Sequence, residues 1–239
     1  SRIRRNRMKA LRRIILIHLA SLLTLFASTP ALSANVRFEK AIEQSNQLDG
    51  AILEDSQGFL WFGSIGALLR YDGHELKAYN AATDGPSGAG INSLIEDKDG
   101  ILWIKTEHNG FSKYDRKDGA WTHYKHSPTN PNSLSFDHSR KFTIQGLFMD
   151  SSHILWIGTG DGLNCFDKRT GSFTRYKKVP DDPDSLGNND ILAITEDKEG
   201  MLWIGTAGGL DMLDKGSGKF THHRHDPNNR NSLSDNEVW

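Results

Sequence analysis

Apolar residues along the chain cluster in short runs, and one such run, leucine-tryptophan followed by isoleucine or phenylalanine, recurs four times. The four copies are Leu60–Ser64, Leu102–Thr106, Leu155–Thr159 and Leu202–Thr206. Their tryptophans are 42, 53 and 47 residues apart, about the length of one four-stranded propeller blade. The pattern therefore predicts an internal repeat built from β-strands.

Polar positions around each copy keep a strict spacing and predict the turns. An aspartate stands six residues before each tryptophan, and another follows it by eleven residues, or by twelve in the second copy. They are Asp55, Asp97, Asp150 and Asp197 before, and Asp72, Asp115, Asp167 and Asp214 after. Asp-x-x-Gly fits a tight turn, although the third copy has His153 in the glycine position. Gly119, Gly171 and Gly218 predict hairpins that need a left-handed residue.

Each copy thus reads as four short strands, and the expected fold is all-β: a β-propeller of four-stranded antiparallel blades. The predicted blades are 51–80, 91–126, 143–178 and 190–225, followed by a linker and the start of a fifth blade at 226–239. Small residues recur four positions before each first aspartate, as expected where innermost strands crowd together: Ala51, Ser93, Gly146 and Ala193. Because the linker pattern at Leu186 returns at Leu233, we expect an N-terminal fragment with four complete blades.

Residues 1–34 differ from the rest and predict an upstream extension and a signal peptide. Arg12 and Arg13 precede an apolar run over residues 14–26, small residues follow, and Met8 is the expected start. The run is short for a membrane span, but an uncleaved anchor remains an alternative. Residues 35–50 are interpreted as a lead-in with a closing strand at 37–40 that completes the last blade, the alternative being a disordered tail.

Removing the leader leaves 22 basic against 30 acidic residues, a formal charge of −8. This balance disfavours a nucleic-acid partner. Cys165 is the single cysteine, so we expect it in the core and no internal disulfide. Phosphate-cradling, dinucleotide and nucleophile-elbow motifs are absent, so no cofactor and no catalytic residue is predicted. His222, His223 and His225 lie on a predicted strand, where they cannot all face one metal ion, and no metal is expected.

The segment 191–223 combines these positions into one nearly complete repeat, I-x-x-I-x-E-D-x-x-G-x-L-W-I-G-T followed by G-L-x-x-x-D and G-x-F. It resembles the two-component regulator propeller repeat. The resemblance implies the periplasmic sensor of a bacterial receptor attached to the inner membrane, most often a hybrid histidine kinase and sometimes a diguanylate cyclase. It also implies a small-molecule or oligosaccharide ligand and a homodimer of the full-length receptor.

The second copy departs from the repeat and supplies the candidate ligand contacts. Lys105 replaces the glycine of Trp-Ile-Gly, and one residue is inserted nearby, giving Glu107, His108 and Asn109. Asp161 occupies the matching loop of the third copy. The alternative is a tolerated loop insertion with solvated charges. An exported propeller enzyme or scaffold without a signalling role is the second function left open.

Overall fold

The computed structural model describes residues 48–88, 90–137 and 146–239, with residues 48–50 in backbone only. The predicted signal peptide and the predicted closing strand at 37–40 lie outside these ranges. The described residues form β-strands and no helix, so none of them lies in a helix that could cross a membrane.

The described ranges contain sixteen strands. They are β1 (Leu48–Glu54), β2 (Leu60–Ser64), β3 (Ala67–Tyr71), β4 (Leu76–Asn80), β5 (Ile91–Glu96), β6 (Ile101–Thr106), β7 (Phe111–Asp115), β8 (Ala120–Tyr124), β9 (Leu147–Met149), β10 (Leu155–Thr159), β11 (Gly162–Asp167), β12 (Ser172–Tyr176), β13 (Ile191–Glu196), β14 (Leu202–Thr206), β15 (Gly209–Asp214) and β16 (Lys219–His223).

Consecutive groups of four strands form four separate antiparallel sheets, which we call blades 1 to 4. Within each blade the strands are paired in chain order, and the first strands of neighbouring blades contact one another. The first strands therefore converge while the fourth strands lie outermost. This architecture confirms the predicted all-β propeller of four-stranded blades.

The hydrophobic core lies between the blades. Three clusters of buried side chains fill the junctions of blades 1 and 2, 2 and 3, and 3 and 4. Trp61, Trp103 and Trp156 belong to one cluster each and are at most 2 % exposed, whereas Trp203, on blade 4, is half-buried. The repeated tryptophan is thus the side chain by which one blade packs against the next, which explains why its neighbours are leucine and isoleucine.

The aspartate six residues before each tryptophan fixes the turn and the indole together. In the third copy, Asp150 Oδ1 accepts hydrogen bonds from the amides of Ser152 and Ile154, at 3.0 and 2.8 Å. Asp150 Oδ2 accepts the indole N–H of Trp156 at 2.9 Å. The same indole bond is 2.7, 3.0 and 2.7 Å long at Trp61, Trp103 and Trp203. A buried indole N–H needs an acceptor, and the fixed spacing supplies one in every blade.

Left-handed backbone occurs where the sequence predicted hairpins. Gly119, Gly171 and Gly218 have φ values of 72°, 72° and 74° between the third and fourth strands. The turn with His153 in place of glycine also forms: His153 adopts a φ of 60°, and its amide donates to Asp150 O at 2.9 Å. A non-glycine residue in this region is unfavourable, so the surrounding turn holds His153 there.

Candidate functional site

The candidate residues of the second copy lie at the end of β6 and in the loop that follows it. Lys105 is in β6 and is only 2 % exposed, Glu107 is half-buried, and His108 and Asn109 are exposed. In every blade the second strand ends at a loop on this same side, and the linker from the preceding blade enters beside that loop. The loop face therefore carries the polar side chains, while Lys105 lies beneath it.

The inserted loop is held between two linkers. The amide of Glu107 donates to Gly90 O at 2.7 Å, in the linker that enters blade 2. On the other side, the amide of Gly110 donates to Asp137 O at 3.1 Å, in the linker that leaves blade 2. Ser87 Oγ donates to Asn109 O at 2.8 Å, and Asn109 has a φ of 72°. The insertion is thus a well-anchored turn in which His108 and Asn109 are exposed while the Glu107 side chain lies against Gly90.

Lys105 lies at the junction of blades 2 and 3. A Cβ placed on Gly146, which immediately precedes β9, would lie only 2.6 Å from Lys105 Cδ, so the lysine stem packs directly over that glycine. Burial lowers the pKa of Lys105 to about 7, and the nearby carboxylate of Glu107 opposes this effect. A lysine with this pKa is present in both protonation states at neutral pH.

Asp161 belongs to a different group of contacts. Its carboxylate pairs with Lys177 Nζ at 2.5 Å and accepts a 3.4 Å hydrogen bond from Asn189 Nδ2. These partners lie just after β12 and in the linker from blade 3 to blade 4. The contacts of Asp161 therefore join blade 3 to its own outgoing linker, whereas Lys105 lies against Gly146 and Glu107 is bonded to the linker that enters blade 2.

The third strand of blades 2, 3 and 4 carries a buried polar side chain that was not predicted from the sequence. Ser112, Asn164 and Asp211 are 0 % exposed and accept hydrogen bonds from linker amides: Ser87 at 2.9 Å, Ser135 at 2.8 Å and Gly187 at 2.7 Å. The signal was their spacing, eight residues after the tryptophan and nine in the second copy. Each of these side chains pins the linker that crosses to its blade from the previous one.

The three histidines near the end of β16 have separate roles. His222 bonds to Asp211 Oδ1 at 2.8 Å and to Pro183 O at 3.0 Å, and it lines an open cleft of about 650 Å³. His223 stacks on the Trp203 ring, and His225 Nδ1 lies 2.6 Å from Leu233 O. Within the ranges that the structure describes, no three metal-ligating side chains are grouped together.

A basic residue follows the third strand in blades 2, 3 and 4 and bridges to the previous blade. Arg116 pairs with Asp55 and Glu96, and Lys215 contacts Asp150 at 2.9 Å and Glu196 at 2.5 Å. Lys168 contacts Asp97 Oδ2 at 3.4 Å and Met149 Sδ at 3.9 Å. These ion pairs lie at the turn end of the blades, opposite the loop face, and serve the junctions between blades.

Comparison with known proteins identifies the repeat. The family model described as two component regulator propeller matches residues 44–66, 85–108 and 185–208, in the first, second and fourth copies. No curated protein matches the chain.

Solved structures share the fold. The extracellular domain of the hybrid two component system BT3049 from Bacteroides thetaiotaomicron is similar at 27 % identity and a TM-score of 0.64, over 75 % of this chain and 24 % of that one. BT4673 from the same bacterium is similar at 25 % identity and a TM-score of 0.62, over 79 % and 24 %. Virginiamycin B lyase from Staphylococcus aureus, at 18 % identity and a TM-score of 0.53 over 76 % and 57 %, shares the fold alone.

This chain spans about a quarter of the length of the two hybrid-system domains that it resembles. Both are extracellular domains, and both share the blade architecture described above. Three segments of the chain therefore match the two component regulator propeller model, and its blades are similar to those of the two extracellular domains.

Proposed function

We propose that this chain is the extracytoplasmic ligand-sensing propeller of a bacterial transmembrane receptor, and that the whole protein is a hybrid histidine kinase. The observation that carries the proposal is the likeness, at 27 % identity and a TM-score of 0.64, to the extracellular domain of a hybrid two component system. The predicted signal peptide agrees with export to the periplasm, with attachment to the inner membrane through other parts of the protein.

The loop face is the surface that we assign to the ligand. On it, the loop after each second strand is bonded to a linker: Gly162 N donates to Asn189 O at 2.7 Å, and Ala207 N donates to Asp190 O at 3.1 Å, as Glu107 N does to Gly90 O. A ligand bound there contacts a loop and a linker that leads to another blade. The carboxylate, imidazole and amide of Glu107, His108 and Asn109 can bond the hydroxyl groups of an oligosaccharide.

Binding affects signalling if the ligand prefers one arrangement of the receptor over another. A ligand shifts such an equilibrium only by its difference in affinity for the two states. Contacts that span a loop and a linker satisfy this requirement, because any movement of one blade relative to its neighbour changes them. In the complete receptor we expect a homodimer to carry this change across the membrane.

The test uses the complete receptor in a bacterial reporter strain. Oligosaccharides that do not cross the inner membrane are added outside, and reporter output is measured. We expect a saturable response, and a half-maximal concentration about tenfold higher when Glu107→Ala and His108→Ala are combined, as for the loss of one or two hydrogen bonds to ligand. Lys198→Ala, an exposed change in the turn at the opposite end of blade 4, is the control. A receptor that ignores every oligosaccharide would refute the oligosaccharide assignment.

A further inference from the structure

The position two residues after the repeated tryptophan is a glycine in blades 1, 3 and 4 because the adjoining chain leaves no room for a side chain. A Cβ at Gly63 would lie 2.6 Å from Ile91 O, and a Cβ at Gly158 would lie 2.7 Å from Ile191 Cγ2. Gly205 is covered in the same way by Val238. Three of the four blades therefore allow no side chain at this position, and the lysine of blade 2 requires a different arrangement.

Blade 3 makes that room with a second exception. Where blades 1, 2 and 4 have Ala51, Ser93 and Ala193, blade 3 has Gly146, and the Lys105 stem lies where the missing Cβ would be. The Lys105 Nζ atom lies beside the start of the first strand of blade 3, 3.6 Å from the position that a Cβ of residue 146 would occupy. An alanine or serine at position 146 would clash with the Lys105 stem, so Gly146 is required for the lysine to lie there.

The ammonium group so placed has no hydrogen-bonding partner among the described residues. Lys105 is 2 % exposed, and its described electrostatic partner is Glu107, which attracts it from beyond ion-pair distance. Removing most of a cation's hydration without supplying a paired acceptor is unfavourable. The other three copies have glycine at this position, so the fold does not require a lysine there. A ligand that carries a negative charge would offset the unfavourable burial of the Lys105 ammonium.

We propose that the junction of blades 2 and 3 is a subsite for the carboxylate of a small hydroxyl-bearing acid, such as a sugar acid. Lys105 Nζ donates to the ligand carboxylate, while Glu107 and Asn109 bond its hydroxyl groups. This inference rests on the proposed function, because it assigns the chemistry of the same ligand face. A single negative charge fits better than the double charge of phosphate, since Glu107 repels an added anion.

At its turn end, the junction of blades 2 and 3 has a longer ion pair than the junction of blades 3 and 4. Lys168 reaches Asp97 at 3.4 Å, and Met149 stands where blades 2 and 4 have Glu96 and Glu196. A ligand that neutralises Lys105 therefore stabilises a junction whose described ion pair at the turn end is longer than those of the other two junctions. Binding and packing of these two blades are coupled by this single charge.

The experiment measures the Lys105 side chain directly in the full chain. Lysines are labelled with ¹³C at Cε, and the Lys105 signal is assigned as the one lost in Lys105→Met. The probes are acetate, D-galacturonate, D-glucuronate and digalacturonate, with D-galactose as the neutral match and inorganic phosphate as the divalent anion. We expect the sugar acids to shift the signal saturably and to raise its pH midpoint, and galactose to have no effect. Calorimetry should give at least tenfold weaker binding for Lys105→Met and unchanged binding for Lys198→Met.

Three results would overturn the proposal: no acid moves the Lys105 signal, phosphate binds better than the carboxylates, or Lys105→Met binds the acids as tightly as the natural chain. Lys105→Met keeps an apolar stem in the same space, so we expect it to fold, and a thermal melt verifies this. A chain that binds sugar acids through Lys105 while its receptor stays silent would refute the proposed function alone. A responsive receptor that is indifferent to Lys105→Met would refute this inference alone.

Discussion

The junction of blades 3 and 4 and the junction of blades 2 and 3 are built from the same repeat but stabilised differently. At the former, Lys215 bridges Asp150 and Glu196, at 2.9 and 2.5 Å, and Ser151 bonds Glu196 through both its amide and its hydroxyl. Burial works to raise the pKa of Asp150, but bonds from Trp156 and Lys215 outweigh it and leave that pKa below its ordinary value. The hydrogen bond from Lys215 likewise lowers the pKa of Glu196.

The junction of blades 2 and 3 lacks most of these contacts. Met149 replaces the glutamate, Lys98 replaces the serine, and Lys168 has one carboxylate contact, at 3.4 Å. In addition, Lys105 places a buried positive charge where the other junction has Gly158 packed against Ile191. Apolar packing is similar in both, since each has a buried tryptophan and a cluster of leucine and isoleucine. The difference is therefore one of charge, and it indicates where the repeat has been modified for something other than stability.

The largest expected effect comes from removing the unusual charge. Lys105→Met should stabilise the chain by about 2 to 5 kcal/mol at pH 6, because an unpaired buried ammonium is replaced by an apolar side chain of similar length. The folded-state pKa, about 7, lies below the unfolded value of 10.5, so between these values the unfolded chain binds more protons. The stability of the natural chain thus rises with pH across this window, and the advantage of Lys105→Met shrinks. Denaturant unfolding at pH 6, 8 and 10 measures both.

Lys198→Met is the matched control for that series, because Lys198 is exposed and its loss should leave stability unchanged at every pH. A Lys105→Met chain that is less stable than the natural one at pH 6 would show that the ammonium has a stabilising partner, and the contrast between the two junctions would lose its electrostatic basis.

The next effect, of opposite sign, is at the junction of blades 3 and 4. Lys215→Met removes the cation from two carboxylates that are 0 % and 8 % exposed in their side chains, and we expect a loss of about 1 to 3 kcal/mol at pH 7. Both acids have a lowered folded pKa, so their contribution is present above their ordinary values of 3.8 and 4.5 and is lost as the pH falls below these. The penalty should therefore shrink below about pH 4.

Lys168→Met is the counterpart at the junction of blades 2 and 3. It removes one longer contact and should cost at most about 1 kcal/mol at pH 7. Equal losses for Lys168→Met and Lys215→Met in the same denaturant titration would mean that the two junctions are held equally, and that the geometric difference between them has no energetic consequence.

The fold was predictable because its signals are periodic. Strand order, the turn aspartates and the left-handed Gly171 and Gly218 all repeat with the tryptophan, and four copies in phase leave little ambiguity. The second role of the aspartate was not visible. That Asp150 also accepts the Trp156 indole depends on how the first and second strands are paired, and spacing alone does not report this.

The candidate site was predictable only as an exception. Comparing copies identified Lys105 and the inserted Glu107, because repeats make a departure visible. The burial of Lys105 and its contact with Gly146 were not predicted, since the two residues lie 41 positions apart and meet only through the packing of adjacent blades. The bridging role of Lys215 was missed for the same reason, although a basic residue follows the third strand in three copies.

The smallest expected effect concerns the Ser151 hydroxyl, which is present at the junction of blades 3 and 4 and has no counterpart at the junction of blades 2 and 3. Ser151→Ala removes the 3.0 Å bond from Ser151 Oγ to Glu196 and keeps the 2.7 Å bond from the backbone amide, so we expect a loss of about 0.5 to 1 kcal/mol. Lys98→Ala changes the equivalent exposed position of blade 2, where Met149 occupies the position of the glutamate, and should be neutral. Both are measured by urea unfolding of the full chain at pH 7. If Lys98→Ala costs as much as Ser151→Ala, the junction of blades 2 and 3 contains a polar contact equivalent to the serine-glutamate pair, and the serine hydroxyl does not distinguish the two junctions.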